Sequence, residues 1–234
     1  MKPHPRLRSF PFAFTVVELL VVVAILGILA AVLIPAVASS RARAVQTKDL
    51  ANLRQIAQGI QLYVNDNSGA YPTMISGVGA GWEGPYWTDQ ISPYLPREGD
   101  QAGDRSSVFY TDVVEENHHI AGYGANSYVI ALHEQDEETG EPRLRPVHAI
   151  ADPAKTILVA NAFRPAENSE GIRAVWFIKA PQVEDNPESS DDSRPYPVHP
   201  NETFAAVFCD GHAEAIPFEE YLEKADSLFG ERPW

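Results

Sequence analysis

Leu19–Ser40 reads LLVVVAILGILAAVLIPAVASS, 22 residues without a charge. A helix rises about 1.5 Å per residue and needs roughly 20 residues to cross the hydrocarbon core of a bilayer, so this stretch is long enough to span. Lys2, Arg6 and Arg8 precede it, and by the positive-inside tendency they place the N-terminus in the cytoplasm. Arg41 and Arg43 flank the far end, so the charge bias is small and orientation needs further support. The run exceeds the roughly 7–15 apolar residues of a secretory signal. It also flows into a helical pattern rather than into an A-x-A cleavage site. A plain membrane anchor leaves Glu18, at the start of the span, without a role: a carboxylate in a bilayer costs about 2.5–3.5 kcal/mol at the centre and less near an end.

Beyond Ser40 the pattern turns amphipathic. Val45, Leu50, Leu53, Ile56, Ile60, Tyr63 and Val64 fall mostly three or four apart, with Lys48, Asp49, Arg54 and Gln58 in the positions between, read as the solvent face. The spacing predicts one helix from Phe14 to Asn65, apolar all round in its first half and one-sided in its second. It closes at Asn65-Asp66-Asn67-Ser68-Gly69, a cluster suited to turns and left-handed caps. Pro35 removes one hydrogen bond inside the helix and bends or loosens the rod.

Ala13-Phe14-Thr15-Val16-Val17-Glu18-Leu19-Leu20 resembles the cleavage and methylation motif of type IV prepilins, in which a small residue, usually Gly, precedes Phe-Thr. The resemblance implies that a prepilin peptidase/N-methyltransferase cuts between Ala13 and Phe14 and methylates the new Phe14 amine. Glu18 then has a cation to meet. At about 4 Å and an effective dielectric near 20 an amine and a carboxylate attract by about 4 kcal/mol, which offsets burial. The partner amine would come from a neighbouring subunit or from the same chain, and the pair would set register during assembly. Tyr63-Val-Asn-Asp66-Asn67-Ser-Gly69-Ala-Tyr71-Pro72-Thr73 resembles the end of the long helix in major, G-type pseudopilins of type II secretion. The two resemblances cover residues 13–73.

The 234 residues carry 18 Lys and Arg against 32 Asp and Glu, a net charge of −14. From Phe14 onward 15 bases face 32 acids, a balance of −17. Such a surface repels phosphate backbones and argues against nucleic acid as a partner. Cys209 is the only cysteine, so no intramolecular disulfide forms.

After a Gly-, Pro- and aromatic-rich stretch with a short helix around Thr88–Leu95, β-type runs occur at Ser107–Val114, Tyr123–Leu132, Arg143–Ile150, Thr156–Ala160, Ala174–Ile178 and Thr203–Cys209. The acidic turn between the second and third reads as the tip of an antiparallel hairpin. A last helix is expected over Phe218–Leu228. The expected fold is α+β and pilin-like: a long N-terminal helix packed on a small antiparallel sheet. Residues 1–13 form the leader, 14–38 the transmembrane and assembly helix, and 39–234 the head.

His199-Pro-Asn-Glu-Thr-Phe-Ala-Ala-Val-Phe-Cys-Asp210-Gly211-His212 resembles the His…Asp-Gly signature of prepilin-like proteins of planctomycete-type bacteria, with one residue more than usual between His199 and Asp210. Read physically, Asp210-Gly211 is the turn leaving a strand, with Asp210 bonding turn backbone and Gly211 supplying positive φ. His118, His119, His133, His148, His199 and His212 form no spaced metal-binding pair. No nucleophile triad, P-loop or dinucleotide motif is present, so an enzyme is not expected. Calcium is the one candidate ligand, since G-type pseudopilins bind it through loop carboxylates and carbonyls. Asp136, Glu138, Asp191 and Asp192 lie in acidic loops that offer such oxygens, and solvated loop charge is the alternative.

The function these readings imply is a structural subunit of a type IV pilus-like or type II secretion pseudopilus filament. It would wait in the bacterial inner membrane as a single-pass protein with a periplasmic head. Its partners would be the peptidase, the assembly platform and other pilin-like subunits, chiefly copies of itself. The alternative is a membrane-tethered minor subunit whose loops recognise a surface glycan or a secreted substrate.

Overall fold

The computed structural model describes residues 15–74, 85–96, 106–111, 122–130, 144–165, 172–174, 177–179 and 194–230. Helix α1 runs from Val16 to Asp66, 51 residues, with Pro35 inside it. It ends as the Asn65–Gly69 cluster suggests. Ser68 turns left-handed at φ 57°, and the Gly69 N–H donates to the Val64 carbonyl at 2.9 Å. The Asn67 side chain donates to the Tyr63 carbonyl at 2.8 Å, so two of the orphan carbonyls at the helix end are satisfied. Contacts divide the chain into two units, Met1–Arg41 and Ala42–Trp234.

Within the second unit α1 buries Leu53, Ile56, Ala57, Ile60 and Val64. They pack in one cluster with Val159, Ala205, Val207 and Cys209. The strands are β1 (Tyr123–Asn126), β2 (Ile157–Pro165), β3 (Ile172–Ala174), β4 (Phe177–Ile178), β5 (Arg194–Pro195), β6 (Thr203–Phe208) and β7 (Ala213–Pro217). Their order is β4-β1-β2-β6-β7, and β3 and β5 pair with the far end of β2. Helix α3 (Phe218–Phe229) follows β7 directly. Its Tyr221, Ala225 and Phe229 pack in a second cluster with Phe204, Ala206, Phe208 and Ile216. Both faces of the sheet are therefore covered, which is why TFAAVF in β6 shows no polar alternation. Gly124 of β1 tolerates no side chain, because a Cβ there would sit 2.6 Å from that of Ala162 and 2.9 Å from the Phe177 backbone.

The α+β class stands, with corrections. The sheet is mixed, not antiparallel, because β1 pairs with β4 in parallel, Ala125 opposite Phe177. Its other edge pairs with β2, so β1 is not one limb of a hairpin with residues 143–150. In that region Val147–Ala149 is a 3₁₀ turn, and Pro146 makes only an isolated bridge with Ala70. Proline lacks the N–H a strand interior needs. Ser107–Phe109 is likewise a 3₁₀ turn, started by the Ser106 hydroxyl, which accepts from the Val108 N–H. The Thr88–Leu95 helix is α2 (Trp87–Ile91) followed by a 3₁₀ turn over Ser92–Tyr94.

Candidate functional site

At the start of α1 the Thr15 N–H donates to Glu18 Oε2 at 2.9 Å, and the Thr15 hydroxyl donates to the same oxygen at 2.7 Å. The Glu18 N–H in turn donates to Thr15 Oγ1 at 3.2 Å. These bonds form a reciprocal capping box. Glu18 thus has a local use that the sequence reading did not weigh, since a carboxylate at this position closes the helix end. Ala13 and Phe14 lie outside the described residues. The large apolar side chains from Val16 to Val37 are between 46% and 80% exposed, a surface that water does not tolerate on a free protein. α1 is long and apolar enough to cross a membrane.

His199, Asp210 and Gly211 are not brought together. His199 precedes β6 and Asp210 follows it, about 20 Å of extended chain between them. Asp210-Gly211 is the β6–β7 turn, with Gly211 at φ 91°. The Asp210 carboxylate accepts from the His212 N–H at 3.0 Å and lies 2.6 Å from its Nδ1. Partial burial pushes the Asp210 carboxyl up, but the His212 backbone N–H and ring outweigh it and hold the group below the usual carboxylate range. The imidazole stacks on Phe208, ring centres 4.3 Å apart. This is the expected turn chemistry, with a histidine added to it.

His199 belongs to a different centre, one the helical pattern missed. Asp49, read as solvent-facing, is fully buried. Its Oδ2 accepts from Thr111 Oγ1 at 2.8 Å and from Asn161 Nδ2 at 3.0 Å, and His199 Nε2 lies 3.2 Å away. Its Oδ1 accepts from the Tyr123 hydroxyl at 2.8 Å. The Ala205 N–H donates to Asn161 Oδ1 at 2.8 Å, which fixes the orientation of that amide. His199 Nε2 sits 3.1 Å from the same oxygen. Flanked by two acceptors, Nε2 carries a hydrogen. Asn52 extends the set to Tyr123 at 3.2 Å. Burial first, and the Asp49 charge second, push the Tyr123 phenol well above its usual range, so it stays a donor.

Chemically this centre is a carboxylate with four donors aimed at it and no exposure to solvent. Its donors are buried too: Tyr123 and Asn161 fully, His199 and Thr111 nearly so. It joins α1, the segment before residue 112, β1, β2 and the approach to β6, and so fixes how the helix lies on the sheet. A signal for it existed: Asp49 precedes Leu53, Ile56 and Ile60 by 4, 7 and 11 positions, the spacing of one helix face.

The Cys209 thiol is 4% exposed, and burial pushes it up to about 12. At pH 8 that leaves about three orders of magnitude less thiolate than a free cysteine has. Thiol reagents should label the native protein more than 100-fold slower than the protein in denaturant. Equal rates would place Cys209 at the surface.

Asp136, Glu138, Asp191 and Asp192 lie outside the described residues. Among the described residues no group of three His, Cys, Asp or Glu gathers as a metal site. A cavity of about 490 Å³ is lined by Arg145, Asp152, Lys155, Thr156, Ser227 and Gly230, among others. Lys155 pairs with Asp152 at 2.8 Å, and Arg145 donates to the carbonyls of Tyr128 and Ala149. Two cations against one carboxylate make this wall unsuited to a metal ion. Comparison with known families, curated proteins and solved structures returned no match.

Proposed function

We propose that this chain is a pilin-like structural subunit. It would be held in a bacterial inner membrane by the first half of α1 and assembled through that helix into a type II secretion or type IV pilus-like filament. The observation that carries the reading is a single 51-residue helix whose first part is apolar and exposed on every side while its second part is built into a folded head. A soluble domain has no use for the first part, and a cleaved signal would not be continuous with the second. The Thr15–Glu18 box supports it, because it holds the Glu18 carboxylate at Thr15, the residue that follows Phe14 in the prepilin motif.

Processing tests the proposal. N-terminal sequencing and mass measurement of membrane-extracted protein should find a chain beginning at methylated Phe14. An intact Met1, or a cut beyond Ala38, removes the prepilin assignment.

A further inference from the structure

As a helix, Leu19–Ser40 rises about 33 Å, a little more than the ~30 Å of hydrocarbon in a bilayer. Ser39 and Ser40 both turn their hydroxyls back to the Ala36 carbonyl, at 3.0 and 2.9 Å, and so present no unsatisfied donor to lipid. Arg41 and Arg43 are the first charged residues past this run, which sets both at the level of the lipid headgroups. Both are exposed, and neither side chain has a hydrogen bond, ion pair or ring contact among the described residues.

Nothing along the helix balances them. No Asp or Glu occurs between Glu18 and Asp49, and the positions three and four residues to either side of each arginine hold only Val, Ala, Ser, Gln or Thr, so no helical ion pair forms. Asp49 itself is buried among its own donors. The two arginines also work against the orientation that Lys2, Arg6 and Arg8 favour, because bases within about 15–20 residues of either end of a span count toward its topology. That cost is offset where the guanidiniums meet an anion on the far side.

We propose that Arg41 and Arg43 bind the headgroup phosphates of anionic phospholipid in the leaflet nearer the head, and so fix the depth of α1 in the membrane. This rests on the membrane-spanning part of the proposed function and names the lipid that the span takes. Two positions apart on a helix, the side chains leave the rod about 200° apart, so each meets its own phosphate. Arginine suits the contact, because its planar fork donates two parallel hydrogen bonds to phosphate oxygens and is more weakly hydrated than an ammonium. The adjoining apolar run selects lipid over free phosphate, since acyl chains pack along it. Each base at an anionic bilayer surface strengthens binding about fivefold.

The test supplies full-length protein in neutral detergent with equal amounts of phosphatidylglycerol and phosphatidylcholine and counts retained lipid by native mass spectrometry. Wild type should prefer phosphatidylglycerol by roughly 25-fold, the product of two such contacts. Arg41→Gln with Arg43→Gln should take the two lipids nearly equally, with unchanged near-UV dichroism excluding misfolding. Arg41→Lys with Arg43→Lys should keep most of the preference, which ties the effect to charge. Lys2→Gln, Arg6→Gln, Arg8→Gln should behave as wild type. No preference in wild type, or an equal preference in wild type and the Arg→Gln pair, overturns the inference and leaves the spanning reading standing. A preference lost only in the leader variant overturns it in favour of the opposite leaflet. Wild type recovered from cells in the soluble fraction removes both.

Discussion

Full-length protein carrying Asp49→Ala should melt roughly 6–20 °C below wild type, followed by near-UV aromatic dichroism in neutral detergent. Removing one partner of a buried charged network costs about 3–5 kcal/mol, and for a head of this size each kcal/mol moves the midpoint by about 2–4 °C. The cost arises from what remains. Thr111, Tyr123, Asn161 and His199 are all aimed at the lost carboxylate, and each donor left buried without an acceptor is penalised by about 1–3 kcal/mol. Asp49→Asn should lose less. Its oxygen can stay toward Thr111, Asn161 and His199 while its NH2 turns to Tyr123, whose hydroxyl can accept. Lys224→Ala is the matching control, because it removes an exposed, solvent-screened pair with Glu220 and should leave the melting point close to that of wild type. A melting point for Asp49→Ala within the range of that control would show that the buried carboxylate does not hold the head together.

Glu18→Val should leave membrane insertion intact, since a carboxylate is removed from the edge of an apolar span, while sheared filament yield falls at least tenfold. The capping box gives this experiment a sharper form. If Glu18 served only to close the helix end, Gln would replace it, because an amide oxygen accepts from Thr15 as well as a carboxylate does. If Glu18 pairs with a freed Phe14 amine, Gln lacks the charge that the pair needs. Glu18→Gln should therefore fail in assembly as Glu18→Val does, with cleavage and membrane fraction measured in the same strain. Filaments restored by Gln would reduce Glu18 to a cap and remove its role as an assembly key.

The long helix was legible because each of its two halves writes its own pattern: an unbroken apolar run first, a one-sided stripe after it. Its end was legible from Asn67, Ser68 and Gly69, whose backbone preferences are local. The centre around Asp49 was not, because polarity alone assigned Asp49 to solvent and ended β2 at Ala160, one residue before Asn161. Asparagine is disfavoured in strands, but in β2 a side-chain network outweighs that preference. β7 was missed for a related reason. Ala213-Glu-Ala-Ile-Pro217 has little intrinsic strand character, and it is a strand because β6 lies beside it, pairing from Thr203–Pro217 to Val207–Ala213. The parallel pairing of β1 with β4 depends on long-range chain routing that no local pattern records.

The Asp49 centre also has a timetable. Asp49 and Asn161 are 112 positions apart, and His199 arrives later still. At about 5–20 residues per second the ribosome needs roughly 6–22 s to add the first of these partners after Asp49 has been made. Through that interval α1 is complete, yet the residues that will lock it to the sheet do not exist. A nascent chain that has not reached β6 is an amphipathic rod with an unfinished socket, so the ribosome must pass β6 before the head can close.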